Sequence, residues 1–161
     1  MRGMKPRVYV ETSVISYLTA KPSRDLIVAA HQELTREWWE SGTHEFELCV
    51  SEVVLDEASR GNTEAARLRL GQLEGLSELP VSQESVDLAE ALLKAGALPQ
   101  QAYADALHVA VCAVHGIDIL VTWNCKHIAN VIMFSVIDKT CRNRGFEPPR
   151  ICTPIELWGM Q

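Results

Sequence analysis

"RVYVETSVISYL", residues 7–18, runs an apolar, β-branched and aromatic segment, led by one Arg, straight into a carboxylate, Glu11. Two hydroxyls follow, Thr12 and Ser13, and then a second apolar run. Val and Tyr suit a pleated, buried surface, so Arg7–Glu11 reads as a strand. Ser13 is a good N-cap, which places a short helix over Val14–Leu18. A carboxylate at the point where a buried strand ends is expensive unless it has a partner. Two readings follow from these residues alone. Glu11 could hold a cation, or it could cap the helix that follows.

Working outward, the same apolar signal recurs between helical periodicities. Residues 25–40 place Ile27, Ala30, Leu34 and Trp38 on one face at spacings of three and four. "FELCV" reads as a second strand, and Ser51 caps a helix running to Ser59. "NTEAARLRLGQL" reads as a helix and residues 76–80 as a short strand. Ser82 caps "QESVDLAEALLKA", which ends at Gly96. Pro99 to His115 reads as a helix with Pro at its start and Gly116 after its end. "IDILVT" is a continuous apolar strand of the kind buried on both faces. "WNCKHIANVIMFSVIDKTCRNRG" reads as mostly helix, and "RICT" as a last strand. Strands alternating with helices predict a parallel sheet with helices on both faces.

Bulk composition narrows the class. A chain of 161 residues with 47% hydrophobic content suits one domain, residues 1–161, with a sizeable core. No apolar stretch approaches the ~20 residues of a membrane span. The first residues show neither a long apolar run nor a small-residue cleavage site, so no signal peptide and no membrane role are expected. The formal net charge of −6 disfavours a protein that coats nucleic acid by its overall field. Five cysteines without a CxxC pattern read as reduced thiols of a cytoplasmic protein.

In open parallel sheets, sites form beyond the C-terminal ends of the strands. Glu11 ends the first strand, and the "IDILVT" strand ends in Thr122, followed by Trp123 and Asn124. Helices that connect parallel strands run opposite to them. The helix carrying Asp105 therefore begins at the same edge, and so does the one carrying Glu52, Asp56 and Glu57. Asp105 sits among apolar neighbours in "YADALHVAV". Several carboxylates at one edge repel each other unless a cation binds there. Oxygen-only ligands favour Mg²⁺ or Mn²⁺ over zinc. Such an ion can activate water and clamp a phosphodiester. The alternative for Asp105 is a helix-start residue favoured by the macrodipole. For Glu52 and Asp56 it is a solvated helix face.

Four segments, "VYVETSVISYL", "CVSEVVLDEASRG", "LPQQAYADALHVAVCA" and "ILVTWNCKHIAN", together resemble the PIN-domain ribonucleases, in particular the VapC-type toxins of toxin–antitoxin pairs. They occur in the family's order and cover most of the chain. The resemblance implies a PIN-like three-layer α/β/α sandwich with a central, mostly parallel sheet. It implies Mg²⁺- or Mn²⁺-dependent endonucleolytic cleavage of RNA, homodimers, and a cognate antitoxin. Metal ligation maps to Glu11, to Glu57 (six residues after Ser51), to Asp105 and to Asn124. Thr12, Ser13, Thr122 and Lys126 map to positions that support the site or contact RNA. The chain departs from the family at three of these positions. Glu11 stands where Asp is usual, Asn124 where a fourth acid is usual, and Lys126 where another acid is frequent. An amide oxygen can coordinate a hard cation but brings no charge. Asn124 would thus be a weaker ligand, or one acting from further out. The same departures support a second class of function, a catalytically weak or inactive PIN-fold module that binds RNA or a protein.

Other motifs carry less. Asp105, His108, Cys112 and His115 form a helical stripe of zinc-ligand types, but ten residues of helix extend about 15 Å, too far to converge on one ion. His108 fits a structural hydrogen bond. His127 could meet RNA or cap a helix. Trp38 and Trp39 read as one core ring and one exposed or interfacial ring. Lys139, Arg142, Arg144 and Arg150 form the most basic stretch, which could contact an RNA backbone or simply be solvated. No G-x-G-x-x-G or P-loop occurs, which disfavours a nucleotide-cofactor enzyme.

Overall fold

The computed structural model describes residues 3–158. Its strands are β1 (Arg7–Val10), β2 (Glu47–Ser51), β3 (Ser77–Leu79), β4 (Ile119–Val121) and β5 (Arg150–Cys152). They form one sheet in the order β3-β2-β1-β4-β5, with every neighbouring pair parallel. The helices are α1 (Thr12–Thr19), α2 (Leu26–Ser41), α3 (Glu52–Ala58), α4 (Thr63–Leu73), α5 (Gln83–Lys94), α6 (Tyr103–Val114), α7 (Phe134–Asn143) and α8 (Pro154–Trp158). α1, α2, α4 and α8 pack as one layer and α5, α6 and α7 as the other, with α3 touching both. This is the α/β/α sandwich with helices on both faces that the alternating pattern predicts.

The chain order places the site. From β1 the chain steps outward through β2 to β3, then returns to lay β4 on the other side of β1. The switch point lies between β1 and β4, paired through Val8–Ile119, Tyr9–Leu120 and Val10–Val121. Sites in open α/β sheets form beyond the strand ends at such a point. β1 has Val8, Tyr9 and Val10 fully buried, and Leu120 and Val121 of β4 are equally buried. Burial on both faces explains their unbroken apolar character.

Several local expectations need correction. β1 stops at Val10, and Glu11, rather than Ser13, is the N-cap of α1. Helix α6 begins at Tyr103 instead of near Pro99, because Ala102 N–H closes a tight turn onto the Pro99 carbonyl at 2.9 Å. Residues 123–133 are not the start of a long helix. Asn124 accepts the His127 N–H and Asn130 accepts the Ile132 N–H through their side chains. These side-chain turns compete with a continuous helix. On α2 the buried residues are Gln32, Thr35 and Trp38, while Ile27 is 69% exposed. The buried face is rotated toward polar residues because each finds a partner. Gln32 bonds to Ser23 N–H and Lys21 C=O, and Thr35 accepts the Trp123 indole N–H. Trp38 is buried, and Trp39 is partly buried against the same core. Arg142 is already paired with Glu147, so the basic stretch is partly neutralised. Helix α8 has only five residues, too few to leave a periodic signal in the sequence.

The core around β4 sets stability. Leu120→Ala, at a fully buried position, is expected to lower unfolding free energy by about 2–5 kcal/mol. Ile132→Ala, at a residue 75% exposed, should change it by less than ~0.5 kcal/mol. Urea denaturation of both variants checks this contrast.

Candidate active site

Glu11 leaves the end of β1 with its backbone N–H still bonded to Val121 C=O at 3.1 Å. Its side chain is only 4% exposed. Oε2 accepts the Ser13 N–H at 2.5 Å, and Oε1 accepts the hydroxyls of Ser13 (2.8 Å) and Thr122 (2.6 Å). Three donors thus replace the water that the carboxylate has lost. The two hydroxyls also work in the other direction. Ser13 Oγ accepts the Trp123 N–H at 2.8 Å, and Thr122 Oγ1 accepts the Asn124 N–H at 2.9 Å. The ends of β1 and β4 are therefore tied together through Glu11, and the loop after β4 starts from that knot.

Glu57, near the end of α3, turns inward. Its Oε1 accepts from Thr12 Oγ1 at 2.8 Å and shares a 2.6 Å hydrogen bond with His108 Nε2. Glu52 and Asp56 of the same helix are exposed, and Asp56 pairs with Arg60. His108 is buried, and its Nδ1 lies 2.7 Å from the Tyr9 hydroxyl, itself 2.7 Å from Ser51 Oγ. A polar chain, Ser51–Tyr9–His108–Glu57–Thr12, thus crosses the core beneath the sheet edge. Burial pushes His108 toward its neutral form. The hydrogen bond to Glu57 and the charges of Glu11, Glu57 and Asp105 outweigh that and raise its pKa above the ordinary 6.5. Burial likewise pushes the Glu57 carboxyl up, but His108, Thr12 and Arg60 together hold it below the ordinary 4.5.

Asp105 occupies the first turn of α6, where no side chain caps the helix and the macrodipole favours a carboxylate. Its Oδ2 lies 2.9 Å from His127 Nδ1. Asn124 is near this end of the molecule, but its Oδ1 accepts the His127 N–H at 3.0 Å. Lys126 is exposed and makes no side-chain hydrogen bond or ion pair among the described residues. It lines a cavity of about 440 Å³ together with His127. Cys112 is buried and His115 bonds to Pro80 C=O, so the zinc-like stripe on α6 is spent on separate partners.

The donor chemistry suits a hard cation better than the present side-chain arrangement does. Glu57 Oε2 and Asp105 Oδ1 have no hydrogen-bond partner among the described residues, and both side chains are partly open to solvent. Yet among those residues no three His, Cys, Asp or Glu side chains are gathered closely enough to hold an ion. The groups that could hold one are the unpartnered oxygens of Glu57 and Asp105. Sequence reasoning assigned no role to Tyr9, whose one signal is a hydroxyl in an otherwise apolar strand that must find a buried partner. It also left His127 undecided, because only the fold of the loop after β4 brings it to Asp105.

The family model of the PIN domain matches residues 8–125. PIN domains are generally nucleases. No curated protein matches the chain. Among solved structures, VapBC2 from Rickettsia felis, bound to a DNA fragment from their promoter, aligns with a TM-score of 0.53 at 17% identity. That alignment covers 91% of this chain and 98% of the other. At that identity the likeness speaks for the fold. Tyrosyl-tRNA synthetase from Archaeoglobus fulgidus, complexed with L-tyrosine, aligns at 14% identity with a TM-score of 0.45, covering 93% of this chain and 55% of that one. So loose a likeness bears on nothing further.

The Glu57–His108 pair makes stability depend on pH from both sides. A lowered carboxyl stabilises the fold above its ordinary pKa of 4.5, and that share is lost as pH falls through the folded value. A raised imidazole stabilises fully below 6.5, and that share is lost as pH rises through the folded value. Urea unfolding of wild type and Glu57→Gln from pH 4 to 9 is expected to show the largest difference between about pH 4.5 and 6.5, narrowing on both sides. A difference independent of pH would mean the pair is not charged.

Proposed function

Because the chain belongs to the PIN-domain family, we propose that it is a metal-dependent endoribonuclease, the toxin of a VapC-type toxin–antitoxin pair. One observation carries this reading. Glu57 and Asp105, from two different helices, keep a free oxygen each at the sheet edge where Glu11 is buried. Folding uses one oxygen of each, and the unpartnered second oxygens are the hard donors that a cation-assisted phosphodiester cleavage calls for.

Glu57 and Asp105 would hold the metal, with Glu11 supplying further charge and Asn124 a weaker contact. Mg²⁺ or Mn²⁺, when bound, acidifies a water and offsets phosphate charge. The other residues keep these groups in place. His108 and Thr12 fix the rotamer of Glu57, and His127 fixes that of Asp105. Ser13 and Thr122 fix Glu11. Lys126, exposed beside His127, offers a cation to a neighbouring phosphate of the RNA. Hydrolysis adds water oxygen to phosphorus in line with the departing ribose oxygen, which leaves with a proton. The partners of this reading are an RNA strand, a second copy of the chain in a homodimer, and a cognate antitoxin. Five free thiols agree with a cytoplasmic setting.

One observation favours a second reading. The Asn124 oxygen is already used by the His127 N–H, and both Glu11 oxygens are occupied. The edge would then be poor at holding metal, and the fold would serve as a module that binds RNA or a protein with little turnover.

Cleavage of a panel of tRNA, rRNA fragments and mRNA in Mg²⁺ or Mn²⁺ tests the proposal. Wild type should cut, EDTA should stop it, and Asp105→Asn should slow it by about 100-fold or more. Asn124→Asp should lower the metal concentration needed. Folded wild type that binds RNA or a partner but cuts nothing would establish the second reading instead.

A further inference from the structure

A groove of about 490 Å³ lies between α3 and the start of α6, and Glu57 forms part of its wall. It therefore opens directly from the acidic edge. Val53, Val81 and Leu107 make its apolar lining. Tyr103, the first residue of α6, borders it with 39% of its surface exposed, and its hydroxyl has no hydrogen-bond partner among the described residues. The rim carries Glu52, Asp56 and Arg60. Asp56 and Arg60 are paired with each other, which leaves the exposed Glu52 carboxylate without a partner among the described residues.

These features select one kind of occupant. With Arg60 taken up by Asp56, the groove offers a phosphate no free cation, and Glu52 is its unpaired charge outside the proposed metal-binding set. A nucleobase fits, since it brings two apolar π-faces and an edge of N–H donors. Unstacked bases of single-stranded RNA are held by aromatic side chains and read along their Watson–Crick edge. A carboxylate can accept two N–H groups at once from guanine N1 and N2. Adenine and cytosine offer one amino group beside an acceptor nitrogen, and uracil places its N–H between two carbonyls that repel a carboxylate.

We propose, on the basis of the ribonuclease reading above, that this groove is a nucleobase subsite beside the scissile phosphate, with Tyr103 as the stacking platform and Glu52 as the acceptor that favours guanine. Neither residue belongs to the proposed metal-binding set, so both can be altered without touching it.

The test uses single-stranded uridine hexamers carrying one guanosine, inosine or adenosine. Binding is read by fluorescence anisotropy in Mg²⁺ with the full chain in an Asp105→Asn background, and cleavage of the same hexamers is read with Asp105 intact. The guanosine hexamer should bind tightest and be cut next to guanosine. Tyr103→Ala should weaken its binding by about fivefold or more, and Tyr103→Phe should keep it. Glu52→Gln should erase the preference for guanosine over inosine, which lacks the N2 amino group, and leave the all-uridine hexamer unaffected. Cleavage that shows no base preference and does not respond to Tyr103→Ala overturns the subsite and leaves the ribonuclease reading standing. Guanosine-selective binding through Tyr103 with no cleavage keeps the base site and overturns the ribonuclease reading. Absence of both overturns both.

Discussion

The buried carboxylate of Glu11, held by Ser13 and Thr122, is the constraint around which this edge of the molecule is organised. A carboxyl group that is 4% exposed is costly unless its lost hydration is replaced. The replacement donors come from two places far apart in sequence, the start of α1 and the end of β4. Because those hydroxyls also accept the N–H groups of Trp123 and Asn124, the course of the loop after β4 is set from the same point. That loop then delivers His127 to Asp105, and Trp123 to Thr35 and the ring of His31, 4.1 Å away. Removing any donor leaves a buried acceptor underserved, which is costlier than the loss of an ordinary hydrogen bond.

A second polar thread, Ser51–Tyr9–His108–Glu57–Thr12, ties β2, β1, α6, α3 and α1 to the same edge. Partly satisfied buried networks are costly, and fully satisfied ones specify a single arrangement. Here the thread ends on a carboxylate that is partly open to solvent. Its effect is to present one oxygen of Glu57 outward while anchoring the other. Asp105 and His127 repeat that design on the neighbouring helix, with Oδ2 anchored and Oδ1 left free. Anchored carboxylates with spare lone pairs have the donor chemistry that suits a hard cation.

Much of this was legible in the residues. The apolar strands flanking α1, α3 and α6 pointed to a parallel sheet, and the direction of the helices put Glu11, Glu57 and Asp105 at one edge. Periodicity alone does not separate Glu52, Asp56 and Glu57, and the choice of Glu57 comes from the resemblance, which counts six residues from Ser51. The structure turns only Glu57 inward, because Thr12 and His108 await it there. The buried face of α2 was misread because Gln32 and Thr35 look like surface residues until their partners at Ser23, Lys21 and Trp123 are known. The region after β4 was misread because two asparagines, Asn124 and Asn130, bend the backbone with their side chains where periodicity predicted helix. Long-range hydrogen bonds of this kind leave no periodic trace, which is why Tyr9 and His127 gained roles only in three dimensions.

We propose that the unpartnered oxygens of Glu57 and Asp105 share a divalent cation. Titrating Mn²⁺ into the protein while following the electron paramagnetic resonance signal of the free ion measures that without reference to any substrate. Wild type should bind saturably, about tenfold or more tighter than Glu57→Gln and Asp105→Asn, with Asp56→Asn unchanged. Binding of equal strength in all four proteins, or no saturable binding by wild type, would contradict it.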